Sequence, residues 1–250
     1  MHRHHIETEK LLLPMLTLAK EEARHLQTVL RLRMNDEVEL FDGRGVTVLA
    51  RVVSAERNGM TLSPVAAPVR HAPHTCKLVL FVCVSKAKRM DWTVEKAVEL
   101  GASQIVPVIS ARTIVRLDDE DDAEGKTERW TRIAVEAARQ SGTAWLPEVF
   151  APVTFAEACA QIRAQDRATT PTFVAALSPD AIPMKQALTK WRSQNPATAG
   201  WFVGPEGDFT PEELQQVIAA GAIPVSLGHQ ILRAETAAIW GLCVLGAEWG

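Results

Sequence analysis

A glycine-rich turn near the C-terminus has a composition that suits ligand binding. The sequence Gly-Pro-Glu-Gly at residues 204–207 follows the apolar run 201–203. Glycine lets the backbone turn sharply and lets a ligand approach the main chain closely, while Glu206 adds a carboxylate. The turn is therefore a candidate ligand site, although an ordinary strand-to-helix connection has a similar composition.

The residues after this turn predict a helix that holds it in place. Thr210 precedes Pro211, and Glu213 stands three residues after Thr210. This spacing matches a capping box with proline at the first helical position. Gly221 is a typical residue at the end of a helix. We expect a helix that begins at Pro211 and ends near Gly221.

A second polar cluster stands at the head of an apolar helix. In the segment VSLGHQILRAETAAIWGLCVLG, residues 225–246, a strand ends near Gly228 and a helix begins around Glu235. Arg233, Glu235 and Thr236 lie at this junction, where polar groups need partners because the helix is apolar on most sides. They are candidates for ligand contacts, but a buried Arg–Glu pair and a helix cap explain them equally well.

The common nucleotide and hydrolase motifs are missing from the sequence. No GxGxxG follows the first strand of the α/β region, and neither GxxxxGK[ST] nor GxSxG occurs. These absences argue against a Rossmann dinucleotide site, a P-loop and a nucleophile elbow.

The two polar segments belong to a predicted α/β region that follows a smaller β-rich module. Residues 1–73 show short alternating patterns and one helical segment, 17–32, which predicts a small β-barrel domain. Residues 67–74, rich in Pro and His, are the predicted linker, so the second domain is 74–250. MHRHH at the start is typical of a polar tail or edge strand.

Strands and helices alternate in the second domain, which predicts a mainly parallel sheet. Ligands bind such sheets outside the carboxyl ends of the strands, where the glycine-rich turn lies. The acidic run 118–125 is expected to form an exposed loop. Strands are predicted at 78–84, 104–109, 172–177, 200–204 and 223–227, and helices at 90–100, 126–141, 154–165, 182–192, 211–220 and 234–247.

Composition narrows the class of protein. The 250 residues are 47% hydrophobic, enough for a sizeable core. The apolar stretches are too short to span a membrane and no signal peptide precedes them, so we expect a cytoplasmic protein. The four cysteines form no CxxC pair, which argues against a disulfide framework or a metal site.

Charge is distributed unevenly along the chain. Residues 1–116 contain 17 Lys/Arg and 12 Asp/Glu, whereas residues 117–250 contain 10 and 18, although the whole chain carries only −3. Polyanion binding depends on local basic clusters, so the average charge does not exclude nucleic acid. A scattered, solvated surface explains the same charges.

The pair GPEGDFTPEE and LGHQILRAETA resembles the paired S-adenosylmethionine loops of the SPOUT methyltransferase superfamily. Within it, the chain is similar to the RsmE family of 16S ribosomal RNA uracil-N(3)-methyltransferases. HLQTVLRLRMNDEVELFDGRG resembles the N-terminal PUA-like module of that family, and SKAKRMDWTVEKAVELGASQIVPV its first α/β unit. The resemblance, which also includes EAARQSG and LPEV, covers nearly the whole chain.

The resemblance implies a fold that residue patterns do not predict. It is a SPOUT-type parallel sheet with a C-terminal trefoil knot, preceded by a PUA-like RNA-binding β-barrel, in a homodimer. The general rarity of knots would argue against such a topology. The chain departs from the family at three positions: the family commonly has glycine at Asp208, arginine at Gln230 and often threonine at Ala234.

The resemblance also implies the reaction: methyl transfer from S-adenosyl-L-methionine to N3 of a uracil in 16S rRNA, with the small ribosomal subunit as partner. Since the imide nitrogen carries a proton, the enzyme must remove it or stabilise negative charge on the flanking carbonyls. Arg233 is the first candidate for that charge, and Glu235 either orients Arg233, acts as base or is its buried partner. The expected cofactor-binding residues are Leu177, Gly204, Glu206, Gly207, Leu227, Gly228, Ile231, Leu232, Thr236 and Ala237.

RNA contacts are expected from basic and polar residues in both domains. Most would set the register of the RNA through phosphate contacts, and the target base is expected to flip out. Each also has a plain surface interpretation. The candidates are Arg3, Arg31, Arg33, Lys86, Lys88, Arg89, Lys96, Arg139, Gln140 and Ser141.

Two other functions stay open at this point. A SPOUT ribose 2'-O-methyltransferase would share the glycine–glutamate turn, although ILRAETA and the N-terminal module fit the uracil enzymes better. A noncatalytic RNA-binding assembly factor would use the PUA-like module but would leave both C-terminal segments without a role.

Overall fold

The structure is a computed structural model that describes residues 1–113 and 120–250. The chain forms two compact units. The N-terminal unit comprises Met1–Pro73 and Val135–Leu146, and the C-terminal unit comprises His74–Ala134 and Pro147–Gly250. The N-terminal unit thus includes a stretch, 135–146, that the sequence places in the second domain.

The N-terminal unit is built on a six-stranded sheet. The strand order is β1-β3-β4-β5-β2, with β6 paired to β4. All pairs are antiparallel except β1 with β3, and β1 lies at the edge, as the polar sequence MHRHH predicts. The strands are β1 (His2–His5), β2 (Leu16–Ala19), β3 (Glu37–Phe41), β4 (Val46–Glu56), β5 (Gly59–Pro64) and β6 (Val69–Arg70).

Two sequence predictions for this unit need correction. The helical segment 17–32 begins as strand β2, because Leu16 and Leu18 alternate into the core while β2 pairs with β5. The predicted linker contains β6, in which Val69 and Arg70 pair with the start of β4. The helices within residues 1–73 are α1 (Thr8–Leu11), α2 (Lys20–Arg24) and a π-helical turn, His25–Val29, that continues α2.

The C-terminal unit contains an eight-stranded sheet whose paired strands are all parallel, which confirms the predicted α/β class. Its order is β10-β8-β7-β13-β11-β14-β12, with β9 paired to β8. The strands are β7 (Lys77–Cys83), β8 (Ala102–Ile109), β9 (Glu148–Val149), β10 (Val153–Thr154), β11 (Thr172–Ala175), β12 (Ile182–Pro183), β13 (Thr198–Val203) and β14 (Ile223–Ser226).

Helices follow these strands: α3 (Ala87–Glu99), α4 (Glu120–Ser141), α5 (Phe155–Ala164), α6 (Met184–Thr189), α7 (Pro211–Ala220) and α8 (Ala234–Trp249). Residues 135–141 of α4 belong to the N-terminal unit. The predicted acidic loop is wrong for residues 120–125, which begin α4. Acidic residues are favourable near a helix N-terminus, and Asp122 pairs with Lys126 one turn later. Residues 118 and 119 lie outside the described residues.

Helix α8 packs against β13 because a glycine and a tryptophan fit together. Trp201 is fully buried and its Nε1 donates to the carbonyl of Ala237 at 3.1 Å. A Cβ at Gly241 would lie only 2.0 Å from Cε2 of Trp201, so glycine is required where the helix crosses the indole. This contact fixes the start of α8 beside the carboxyl end of β13.

Within residues 1–113 and 120–250, no helix is long and apolar enough to cross a membrane. The same residues contain no group of three or more His, Cys, Asp or Glu side chains arranged to hold a metal ion. All four cysteines are free, and burial raises the pKa of Cys83 to about 12, so this thiol stays protonated. The trefoil knot stays a prediction from the resemblance.

Candidate active site

The glycine-rich turn begins where β13 ends and is closed by its own backbone. The amide of Asp208 donates to the carbonyl of Pro205 at 2.9 Å. A Cβ at Gly204 would lie 3.0 Å from the ring of Phe209, which is buried under the turn. Glycine at 204 thus lets the backbone lie directly on the aromatic core.

Asp208 has a left-handed backbone, with φ of +60°. Aspartate and asparagine tolerate this region better than other non-glycine residues because a short polar side chain bonds locally. Here Oδ1 of Asp208 accepts from the amide of Phe209 at 2.8 Å. The conformation gives a physical reason why this position suits aspartate or glycine better than most other residues.

The capping box predicted after the turn is confirmed. Thr210 Oγ1 accepts from the amide of Glu213 at 3.1 Å, and Glu213 Oε2 accepts from the amide of Thr210 at 3.0 Å. Helix α7 starts at Pro211, and Gly221 ends it with φ of +119°. Glu213 is buried, and its other oxygen accepts from the amide of Ala111 at 2.7 Å. The cap therefore also anchors the neighbouring β8 loop.

The second segment runs from the end of β14 to the start of α8. Gly228 has φ of +127°, and a Cβ there would meet no atom within 4 Å. Glycine is therefore needed for the backbone conformation and not for packing. Arg233 is the N-cap residue of α8, and Ile231 is 77% exposed.

The two segments and the end of β11 surround a cavity of about 400 Å³, within the range typical of small-ligand sites. The cavity opens at the carboxyl ends of β11, β13 and β14, as expected for a parallel sheet. The lining residues are Arg89, Ala175, Ala176, Leu177, Val203, Gly204, Pro205, Glu206, Asp208, Ser226, Leu227, Gly228, Gln230, Ile231, Leu232, Arg233, Ala234 and Ala237.

All the predicted cofactor residues except Gly207 and Thr236 line this cavity. The carbonyl of Gly207 instead accepts from Nη1 of Arg112 at 2.7 Å, which braces the turn from outside. Thr236 is exposed on the first turn of α8. Sequence reasoning missed Ala175 and Ala176, although their position at the end of a predicted strand could have indicated them.

The two catalytic candidates differ in their surroundings. Arg233 is exposed and lines the cavity. Glu235 is mostly buried and lies 3.9 Å from Nε of Arg89, so its observed ion pair is with Arg89 and not with Arg233. The guanidinium of Arg89 also donates to Glu206 at 2.8 Å. The sequence analysis predicts that Arg89 contacts RNA, whereas the structure places Arg89 in the wall of the cavity.

The predicted RNA-binding residues of the N-terminal unit divide into exposed and structural ones. Arg31, with φ of +54°, and Arg33 are exposed. The side chain of Arg3 is only 8% exposed: it pairs with Glu39 at 2.7 Å and donates to two carbonyls of residues 138 and 143. Arg3 therefore holds the unit together and is poorly placed for an RNA phosphate.

Arg139 belongs to a partly buried cluster in the same unit. Its Nη1 donates to Glu136 at 2.9 Å and lies 3.3 Å from Nε2 of His25, whose ring stacks on His4. Burial, reinforced by Arg139 and the neighbouring histidines, lowers the pKa of His4 to about 3. His4 is thus neutral at pH 7 and adds no positive charge.

The remaining candidates lie mostly at the surface. Gln140 and Ser141 are exposed at the end of α4. Lys86 and Lys88 are exposed at the start of α3, whereas Lys96 pairs with Glu95 and Glu99, both at 2.8 Å. Lys86 and Lys88 are therefore better placed than Lys96 to contact a phosphate.

Comparison with known proteins assigns the chain to a family. The model of the RNA methyltransferase domain matches residues 72–246, and that of the RNA methyltransferase PUA domain matches residues 18–65. The chain belongs to this RNA methyltransferase family. The first match alone covers more than half of the sequence.

Similar proteins support this assignment over the full length. The ribosomal RNA small subunit methyltransferase E of Synechocystis is 31% identical over 97% of this chain and 76% of its own length. The protein of the same name from Bacillus subtilis is 26% identical over 99% of this chain and 97% of its own.

A solved structure extends the similarity to three dimensions. The ribosomal RNA small subunit methyltransferase E of Neisseria gonorrhoeae, bound to S-adenosyl methionine, is 30% identical. It superimposes with a TM-score of 0.85, and the match covers 100% of this chain and 98% of that one. The mixed α/β fold with an N-terminal PUA domain is thus shared by both proteins.

Proposed function

We propose that this protein transfers a methyl group from S-adenosyl-L-methionine to N3 of a uracil in 16S ribosomal RNA. The observation that carries the proposal is the cavity formed jointly by the 204–208 turn, the 227–234 segment and the end of β11. Family membership and the cofactor in the Neisseria gonorrhoeae structure support it.

The residues around the cavity fit this cofactor. Leu177, Leu227, Ile231 and Leu232 offer apolar surface for a flat adenine, and the open side of Gly228 lets a ligand approach the main chain. Carboxylate groups such as that of Glu206 suit a cationic ligand. The bound cofactor would supply a methyl group activated by a positively charged sulfur.

The protein must also make the uracil nitrogen reactive. We assign Arg233 to stabilise the negative charge that spreads onto the uracil carbonyl oxygens as the nitrogen loses its proton to solvent. Arg233 suits this role because it lines the cavity and is exposed. Arg233→Gln should lower kcat by about 10²–10³-fold, the usual effect of losing one such donor.

The RNA substrate would be bound by exposed basic residues. Arg31 and Arg33 in the N-terminal unit, and Lys86 and Lys88 at the start of α3, are the best placed. We propose that residues 1–73 form the RNA-binding PUA-like domain and that residues 74–250 form the methyltransferase domain. A homodimer, a cytoplasmic location and the assembled small subunit as substrate complete the proposal.

The decisive experiment mixes purified protein, labelled S-adenosylmethionine and bacterial small-subunit particles that lack the modification. We expect label in 16S rRNA, on a uracil base after nuclease digestion to nucleosides. Label on a ribose would instead identify a 2'-O-methyltransferase. Absence of label, together with absence of cofactor binding in calorimetric titration, would favour a noncatalytic assembly factor.

A further inference from the structure

The guanidinium of Arg89 connects the glycine-rich turn to the first turn of α8. Its Nη1 donates to Oε1 of Glu206 at 2.8 Å, and its Nε lies 3.9 Å from Oε1 of Glu235. Glu206 belongs to the turn after β13, whereas Glu235 stands in the first turn of α8. One side chain from α3 thus contacts both.

We propose that Arg89 is a positioning residue for methyl transfer, which holds Glu206 and Glu235 in one arrangement so that the two segments act as a single site. This role rests on the proposed function. It differs from the phosphate contact that the sequence suggests, because two carboxylates already contact the guanidinium.

The arrangement needs a cation between the two carboxylates. Because Glu206 and Glu235 both lie within 4 Å of one guanidinium, they are close to each other and would repel without it. Their side chains are only 21% and 14% exposed, so water screens this repulsion poorly. Removal of the guanidinium would let this repulsion move the two carboxylates, and the segments that carry them, apart.

Arg89 contacts a carboxylate that is otherwise poorly satisfied. Oε2 of Glu235 is buried, and no donor among residues 1–113 and 120–250 bonds to it. A buried acceptor without a donor is unfavourable, so such groups need a specific explanation. Glu235 is absent from the cavity-lining residues, so the guanidinium of Arg89 at Oε1 is the contact that ties this carboxylate to the cavity wall.

Arginine is better suited to this position than lysine. Its planar guanidinium presents several donors in a fixed fork and can contact two carboxylates, whereas lysine offers a compact point charge on a flexible stem. Arg89→Lys should therefore keep the charge but hold Glu206 and Glu235 less firmly. Arg89→Gln removes both the charge and the fork.

The test compares five single variants and one double variant in the full-length protein. Glu206→Gln, alone and combined with Arg89→Gln, completes a double-mutant cycle. Arg89→Gln and Arg89→Lys address the position itself. Lys88→Gln removes a neighbouring exposed charge that could contact RNA. Arg129→Gln is the matched control. Arg129 pairs with Asp91, which lies on α3 as Arg89 does, and Arg129 is absent from the residues that line the cavity. Thermal melting establishes that each variant is folded.

We expect Arg89→Gln to lower kcat by about 10²-fold, because displacement of catalytic groups has effects of this size. The kcat of Arg89→Lys should be at least about tenfold higher than that of Arg89→Gln. The added change Glu206→Gln should recover part of the lost kcat, since it removes one of the two carboxylates that repel each other. The salt dependence of RNA binding should stay that of the wild type in Arg89→Gln and weaken in Lys88→Gln.

Three results would overturn the positioning role while the wild type remains active. They are a kcat of Arg89→Lys as low as that of Arg89→Gln, strictly additive effects of Arg89→Gln and Glu206→Gln, or an RNA salt dependence altered as in Lys88→Gln. A wild type that neither binds S-adenosylmethionine in titration nor methylates rRNA would instead overturn the proposed function, and this role with it.

Discussion

The two segments that line the cavity are held in place in different ways. The 204–208 turn lies on the buried ring of Phe209 and is closed by a hydrogen bond within its own backbone. Arg112 and the capping box of α7 brace it from outside. In the 227–234 segment, Gly228 and Ile231 are exposed, and a Cβ at Gly228 would meet no atom within 4 Å. One wall of the cavity is packed and the other is open to solvent.

This difference separates two contributions to binding. A packed wall presents its groups before a ligand arrives, whereas an open wall gains contacts only when a ligand covers it. Substitutions in the turn should therefore affect stability and cofactor affinity together. Substitutions in the open segment should affect mainly affinity.

The largest effect is expected for Gly204→Val. From the residue pattern alone, this change would abolish cofactor binding and leave the fold intact, but a Cβ 3.0 Å from Phe209 forces that ring to move. Because overpacked cores lose about 1–3 kcal/mol, the free energy of unfolding should fall by a similar amount while binding is lost. Chemical denaturation and calorimetric titration measure the two effects. An unchanged free energy of unfolding would show that the ring of Phe209 accommodates the added side chain without cost.

Gly228→Ala should lose cofactor affinity with a smaller effect on packing. The methyl group has open space, but φ of +127° is strained for any residue with a Cβ, at a cost of about 1–3 kcal/mol. An exposed loop relieves such strain by moving, so we expect at least about tenfold weaker binding and a melting temperature close to that of the wild type. Unchanged affinity would remove Gly228 from the site.

The same contrast explains what sequence could predict. The helix after the turn was predicted closely because Thr210, Pro211, Glu213 and Gly221 act through local bonds, which residue spacing reveals. The parallel sheet followed from the alternation of strands and helices. The knot came only from the resemblance, since residue periodicity carries no information about how a chain threads.

Assignments that depend on long-range contacts were less successful. Arg3 and Arg89 look like surface cations in the sequence, but their partners, Glu39 and Glu206, lie 36 and 117 residues away. The pairing of Glu235 with Arg89, and not with the nearby Arg233, depends on how α3 packs near α8. Spacing along the chain cannot reveal such pairs.

Thr210→Ala should affect stability moderately and affinity indirectly. It removes the hydroxyl that accepts from the amide of Glu213, which typically costs about 1 kcal/mol. Because the cap supports the turn, cofactor affinity should also fall, by about two- to fivefold, or less than 1 kcal/mol. Thr210→Ser keeps the acceptor and should behave as the wild type. Equal losses in both variants would mean that the methyl group, and not the cap, matters.

Asp208→Ala tests the left-handed position in the packed wall. Alanine cannot accept from the amide of Phe209 and disfavours φ of +60°, so stability should fall by up to about 1 kcal/mol. Asp208→Asn keeps both properties and should be near neutral, as should Asp208→Gly, which relieves the strain. Thermal denaturation separates the three variants. A loss in Asp208→Asn as large as in Asp208→Ala would point to the charge of Asp208 instead.

The smallest effect on stability is expected for Ile231→Ala in the open wall. Its side chain is 77% exposed, and surface substitutions usually change the free energy of unfolding by less than about 0.5 kcal/mol. If the cofactor covers this side chain, loss of its apolar contact should weaken binding by roughly tenfold, since burial of an aliphatic side chain contributes about 1.5–3 kcal/mol when complete. Val69→Ala is a suitable control, because Val69 is 53% exposed and lies in β6, outside the cavity-lining residues. Unchanged affinity in Ile231→Ala, measured by calorimetric titration, would show that the open wall stays open when the cofactor binds.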